Sequence, residues 1–344
     1  MRNILLILFS YLQIILLIPV SMESQQLTPT EIIEKSKCPC LQTKIRFDDS
    51  SLEKIVLHPE DVLAYPDSFW TNDVSYQLVK LWHQRTSIPI PMDQWKGWIH
   101  SFINVRVEER EQNAQLIKAK SMMKKEKEFS DKAIPFICSF LPKDCPNIST
   151  TIYFTTAIMA SGFAMDDNIV IYGANADRDN LFIHELFHQG FSKCNPKDYK
   201  SNIKDSTVNQ IYIGIQNEGM ATYVGYKALK EFPNFDKDPK RDDYRFFNDL
   251  KTRNRLHERL NDILKKVPLL VETEVGRKEL QDSLWIVGTT DRAFYVVGCY
   301  MAEIIDEKLG RDVLVETISK GPKSFLNTYN SLVEEKYLVF DLYK

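Results

Sequence analysis

The stretch His184-Glu185-Leu186-Phe187-His188 places two histidines four residues apart, with a glutamate directly after the first. Four helical residues are slightly more than one turn, so both imidazoles fall on one face, about 40° apart, and can reach a single ion. Glu185 projects about 100° round from His184, where its carboxylate can take a proton from a water rather than bind the metal. Asp177 or Asn180 can cap the start of this helix, Leu181, Phe182, Ile183, Leu186 and Phe187 make it apolar, and Gly190 can end it. Such a helix is buried, and buried imidazoles need partners. His184 and His188 are therefore expected as zinc ligands and Glu185 as a general base for hydrolysis.

Catalytic zinc usually keeps three protein ligands and one open position. Glu218 stands thirty residues beyond His188, in Asn217-Glu218-Gly219-Met220-Ala221-Thr222-Tyr223, inside a helical pattern running from about Val208 to Leu229. It is the expected third ligand. Gly219 and Ala221 are small enough for this helix to approach the metal helix closely.

With these residues in place the chain resembles the gluzincin group of zinc metallopeptidases, and most of all bacterial domain families described as zinc-dependent proteases. Tyr295-Val296-Val297-Gly298-Cys299-Tyr300-Met301-Ala302, then Gly310, Gly321-Pro322, Phe325 and Tyr329-Asn330, are similar to those families too, so the likeness runs from roughly Leu141 to Asn330. It implies one zinc per chain on His184, His188 and Glu218, with Glu185 activating water. The thermolysin-like branch has an aspartate four residues after the glutamate ligand, orienting a histidine; here that position is Thr222. For the donor to the oxyanion, a phenol at Tyr295 is expected, in an apolar helix with Gly298 three residues on. Tyr223, Tyr300 and Arg292 are its rivals, and His257, among charged neighbours, reads as part of a solvated helix face.

Arg2 followed by the apolar run Ile4 to Val20 and then Ser21-Met22-Glu23-Ser24 reads as an export signal or an uncleaved N-terminal anchor, which places the protein outside the cytoplasm: periplasmic, envelope-associated or secreted. A net charge of -3 with a pI near 6.1 argues against nucleic acid as a partner. A membrane enters only through that anchor, and the expected partner is a peptide or protein substrate. An even count of six cysteines in an exported chain allows disulfides, and Cys138 with Cys145 is the easiest pair to imagine across its short loop. Asn147-Ile148-Ser149 is a glycosylation sequon, relevant only in a eukaryote.

Beyond the signal at 1–24, the residues divide at about 141. Residues 25–141 read as helical, with Val74 to Gln84 and Met92 to Phe129 clearest and Pro89 and Pro91 as breaks. Residues 142–195 carry β-rich runs at Thr151–Thr156 and Ile169–Tyr172, with turn chemistry at Asp166-Asp167-Asn168, and then the metal helix; residues 196–344 read as helical again. The expected fold is α+β, mainly helical, with a small sheet packed on the zinc-binding helix. By analogy with gluzincins, Ala157 to Ala164 or the Ile169 strand forms one wall of the cleft. Two other readings use the same residues: an envelope binding or scaffold protein with a relic zinc site, and a zinc hydrolase of a non-peptide substrate.

Overall fold

The computed structural model describes residues 44–85, 92–104, 109–146, 148–156, 160–195, 203–232 and 242–343. The export segment, Cys38, Cys40, Pro89, Pro91, Asn147 and residues 157–159 lie outside them.

The fold is α+β and mainly helical, as expected. β1 (Lys44–Asp48) opens the described chain and is followed by α1 (Ser50–Leu57), α2 (Pro59–Ala64), α3 (Pro66–Asn72), α4 (Val74–Arg85), α5 (Met92–Asn104), α6 (Glu109–Met123) and α7 (Glu126–Cys138). β2 (Ser149–Thr155), β3 (Gly162–Met165) and β4 (Asn168–Tyr172) lead into α8 (Asp179–Cys194), the metal helix. Then come α9 (Ile203–Glu231), α10 (Asp242–Asn248), α11 (Leu250–Leu264), α12 (Val267–Leu270), α13 (Glu274–Leu284), a π-helical turn over Trp285–Thr290, α14 (Ala293–Leu309), α15 (Arg311–Lys320) and α16 (Pro322–Asn330).

Among the described residues the strands form one sheet in the order β1-β2-β4-β3. β1, β2 and β4 are parallel, and β3 returns antiparallel to β4 as an edge. The sequence reading missed β1, which takes its place in the sheet from within the supposedly helical N-terminal region. The turn expected at Asp166-Asp167-Asn168 is present, with Asp166 at φ 49°, and it joins β4 to an intervening strand, β3, rather than to β2. Alternation divides the sheet's side chains between two cores. Ile45, Phe47, Ile152, Phe154, Ile169 and Ile171 join the main core under α8. Phe182 of α8 meets the rings of Phe47 and Phe154, each 5.9 Å away, and Gln189 of the same helix donates to the carbonyl of Asn168 in β4 at 2.7 Å, so the metal helix rests on the sheet through both. Val170, Phe163 and Met165 face a smaller core with Phe69, Trp70, Tyr76 and Val79 from the N-terminal helices.

On its other side α8 packs against α9, which in turn crosses α14 at two glycines. A Cβ on Gly219 would stand 2.0 Å from the Cα of Gly298, and one on Gly298 would stand 2.2 Å from the carbonyl oxygen of Ile215. Gly219 thus lets α9 approach α14, not the metal helix as its place beside Glu218 suggested. Gly190 does not end α8, which continues to Cys194; the glycine lies mid-helix under Leu141, whose Cδ1 would be 2.2 Å from an added Cβ. Nor do Asp177 or Asn180 cap the helix. Arg178 holds the N-cap position without a side-chain bond, and buried Asp179 in the first turn pairs with Lys125 at 3.2 Å, where a carboxylate suits the positive end of the helix dipole.

Cys145 is bonded to Cys194, not to Cys138. Cys145 packs against the last turns of α8, its Sγ 3.6 Å from the carbonyl oxygen of Gly190, whereas Cys138 ends α7 and is itself disulfide-bonded to a partner outside the described residues. The Cys145–Cys194 bond spans 49 residues and ties the C-terminal end of the metal helix to the turn before β2. Replacing both cysteines by serine is expected to lower the unfolding free energy by about 2–4 kcal/mol, because the released chain regains loop entropy when unfolded. A denaturant titration checks this, and a midpoint equal to the parent's would show that the cross-link contributes nothing.

Candidate active site

α8 is buried along almost its whole length, from Asp179 to Phe191. The four residues singled out by the motif and its partner helix come together within it. His184, Glu185, His188 and Glu218 are all at least nine-tenths buried. His184 Nε2 lies 2.7 Å from Glu218 Oε2, and His188 Nε2 lies 2.7 Å from Glu218 Oε1. The two Nε2 atoms are 3.0 Å apart, with their rings near perpendicular at 89°. Among the described residues, these three side chains form the one cluster of ligating groups with atoms close enough to share an ion.

Asn217, which the sequence reading passed over, holds the second histidine. Its Oδ1 lies 2.9 Å from His188 Nδ1. An amide oxygen only accepts, so Nδ1 is the donor there and Nε2 is the atom turned to the cluster. Thr222, at the position where an orienting aspartate was missing, is fully buried and its hydroxyl makes no hydrogen bond among the described residues. Orientation of a histidine thus comes from the residue before Glu218. The signal was present as a polar amide at the head of a small-residue run, but nothing in the spacing told which ring it would meet.

Two imidazole nitrogens and a carboxylate gathered this tightly need a positive charge between them. A divalent cation would supply it, and the donor set of two nitrogens and one oxygen is compatible with zinc. Without a metal the charge falls to a proton. Burial works against a charged His188, but the attraction and hydrogen bond of Glu218, the field of Glu185 and the bond to Asn217 outweigh it and lift the pKa to about 9. Burial also opposes a charge on Glu218, yet the two imidazoles hold its carboxyl well below the usual range.

The linkage has a definite sign. His188 is raised above its ordinary 6.5, so the stability it gives the metal-free fold is complete below pH 6.5 and lost as pH rises through about 9. Glu218 is lowered, so its contribution is present above 4.5 and lost as pH falls through its depressed value. The metal-free protein is expected to melt at lower temperature at pH 9 than at pH 6.5, and zinc uptake near neutral pH to expel a proton. Calorimetry in buffers of different ionisation enthalpy measures that proton; heats independent of the buffer would contradict it.

Glu185 lies beside the sheet's edge strand. A Cβ on Gly162 would stand 3.7 Å from Glu185 Cγ. Tyr172 N–H donates to the carbonyl of Ser161 at 3.0 Å, so antiparallel alternation turns the N–H and C=O of Gly162 and Ala164 away from β4, to an edge that carries no further strand among the described residues. Of the two stretches expected to wall a cleft, the Gly162–Ala164 end of the first lies at the sheet's edge. The Ile169 strand is interior, between β2 and β3.

Tyr295 is in the first turn of α14, and its ring stacks on that of His184, with centroids 6.0 Å apart and planes 20° apart. Its rivals are engaged elsewhere. Tyr223 donates to Asp306 at 2.7 Å, Tyr300 lies under the Arg253 guanidinium, and Arg292 is paired with Asp243. His257 is not on a solvated face. It shares the inward side of α11 with Leu260 and Leu264, is 6% exposed, and its Nε2 lies 3.0 Å from the carbonyl of Leu338. Burial and the neighbouring Arg253 push its pKa down to about 2, so it fastens the C-terminal segment as a neutral ring. The charged neighbours misled because helical period, not sequence adjacency, decides which residue turns inward.

Residues 83–337 match the model of a family described as "Putative zinc dependent peptidase (DUF5700)". The chain belongs to this family. The match starts within α4, well before Leu141, so the family's unit takes in α5 to α7 of the N-terminal helices together with β2 to β4 and α8. It also covers Asn217, Glu218, Asp243, Arg292 and Tyr295, every residue placed at or beside the cluster. No curated protein and no solved structure matches the chain.

Proposed function

We propose that this protein is an exported zinc-dependent peptidase that hydrolyses peptide bonds with water, using His184, His188 and Glu218 as metal ligands and Glu185 as general base. The observation that carries the reading is the convergence of those three atoms within a buried cluster, beside a carboxylate that flanks a sheet edge carrying no further strand among the described residues. Membership of a family described as zinc-dependent peptidases supports it.

When bound, zinc supplies Lewis-acid polarisation of a substrate carbonyl and lowers the pKa of a water. This chain's residues do the rest. Glu185 takes the proton of the attacking water and passes it to the leaving amine, a role open to it because its carboxylate is adjacent to the ligand set rather than part of it. Tyr295 donates to the negative charge growing on the carbonyl oxygen. Asn217 keeps His188 in the tautomer whose Nε2 faces the metal. Main-chain groups of Gly162 and Ala164 hold an extended peptide by strand addition, with Glu185 alongside.

Export is supported by the apolar run Ile4 to Val20 and by the disulfides at Cys145–Cys194 and Cys138, since such bonds persist in oxidising compartments. No helix among the described residues is long and apolar enough to cross a membrane. Cell fractionation with N-terminal sequencing tests this part, and recovery of intact chains in the cytosol would count against it.

The catalytic reading is tested by elemental analysis after zinc reconstitution, together with digestion of a peptide library with and without a chelator. About one equivalent of zinc and chelator-sensitive cleavage are expected. Glu218→Ala is expected to lose most of the bound metal, because one of three protein ligands is gone. Full zinc retention in that variant would rule out this ligand set, and zinc binding without any cleavage would favour a non-peptide substrate or a relic site.

A further inference from the structure

His188 is oriented by the hydrogen bond that its Nδ1 donates to Asn217 Oδ1, and the other histidine of the cluster, His184, carries a ring against its face. Tyr295 stacks on His184, and the Arg292 guanidinium lies over the Tyr295 ring in turn. Arg292 is itself anchored. Its Nε and Nη2 donate to Oδ1 and Oδ2 of Asp243 at 2.5 and 2.7 Å, a two-point fork, and Asp243, near the start of α10, is only 1% exposed.

The backbone around Arg292 points the same way. With φ 63° it occupies the left-handed region, uncommon for a residue with a side chain and kept only where surrounding contacts hold it. It follows a π-helical turn over Trp285–Thr290, a feature often found at functional sites, and it begins α14, so this one residue sets where Tyr295 starts. A buried carboxylate, a planar cation, a phenol ring and a metal-ligand ring thus form a continuous stack.

We propose that Asp243 and Arg292 are positioning residues for the metal ligand His184: the fork to Asp243 fixes the guanidinium as a plate over Tyr295, and Tyr295 thereby fixes the His184 imidazole. This rests on the zinc-peptidase reading above. Neither residue touches substrate. The demand is for an arginine in particular, because the planar fork can grip a carboxylate at two points and lie on a ring at once, which an ammonium cannot.

The test uses the full-length protein in three variants. Arg292→Lys keeps a positive charge opposite the buried Asp243, so the carboxylate is not left unpaired, but it loses the plate. Tyr295→Leu leaves the ion pair whole and removes the ring. Tyr295→Phe keeps the ring and removes the hydroxyl. Zinc affinity by chelator competition, the visible spectrum of the cobalt-substituted protein, and kcat and KM on one peptide are measured, with thermal melting to follow the fold. Arg292→Lys and Tyr295→Leu are expected to weaken zinc binding by about 10-fold or more and to alter the cobalt spectrum. Their kcat should fall while KM stays within about twofold. Tyr295→Phe is expected to keep the parent's zinc affinity and spectrum while losing kcat. Folded Arg292→Lys and Tyr295→Leu proteins with the parent's zinc affinity and cobalt spectrum would overturn the positioning role and leave the peptidase reading standing. A parent protein that takes up no zinc overturns the peptidase reading, and the positioning role with it.

Discussion

Glu185→Gln is expected to bind zinc as the parent does and to lose peptide hydrolysis by about 10²- to 10⁴-fold, the contribution of a well-placed general base. The substitution keeps the side chain's shape and removes its capacity to accept a proton. Its carboxylate is not one of the three groups that converge on a common point, so the metal site should survive. Zinc content and initial rate, measured on the same sample, give the result. A glutamine variant as active as the parent would sink the proposed mechanism, and one that has lost its zinc would show that Glu185 is a ligand.

The second large effect is on architecture. Gly298→Ala is expected to destabilise the protein by about 3 kcal/mol or more, at or beyond the upper end of the usual range for overpacking a core. Most added methyl groups meet side chains that can turn aside. Here the Cβ would meet backbone, the Ile215 carbonyl at 2.2 Å and Gly219 Cα at 2.4 Å, so α9 and α14 must separate. Glu218 is next to Gly219 and Tyr295 is one turn before Gly298, so separation also pulls a proposed ligand and the proposed oxyanion donor out of place. Zinc affinity should therefore fall with stability. Gly97 in α5 makes a good control, since nothing lies within 4 Å of a Cβ built there. Gly97→Ala should stabilise slightly, by about 0.5–1 kcal/mol. Equal melting temperatures for the Gly298→Ala and Gly97→Ala proteins would mean that the helix crossing tolerates an extra methyl.

The metal helix could be read from the chain because its information is local. A spacing of four residues fixes which side chains share a face whatever the rest of the molecule does, so His184 and His188 were legible with Glu185 beside them. Glu218 was legible for a weaker reason: small residues beside a charged one in a helical pattern mark a close approach, though the helix approached proved to be α14. The main strands at 149–155 and 168–172 announced themselves by β-branched runs. β1 did not, since Lys44-Ile45-Arg46-Phe47-Asp48 alternates over only five residues and its pairing partner lies about a hundred residues away.

Sequence alone thus determined the class of fold and the identity of the motif residues, which rest on periodicity within single elements, and it singled out Glu218 by the small residues beside it. Tertiary structure alone decided which elements meet: Cys145 with Cys194, Gly219 with Gly298, Asn217 with His188, Arg292 with Asp243 across the head of α14. The reason is physical. A helix or strand specifies the direction of its own side chains, but a contact between elements depends on how all the buried surfaces pack at once, and spacing along the chain carries almost no trace of that.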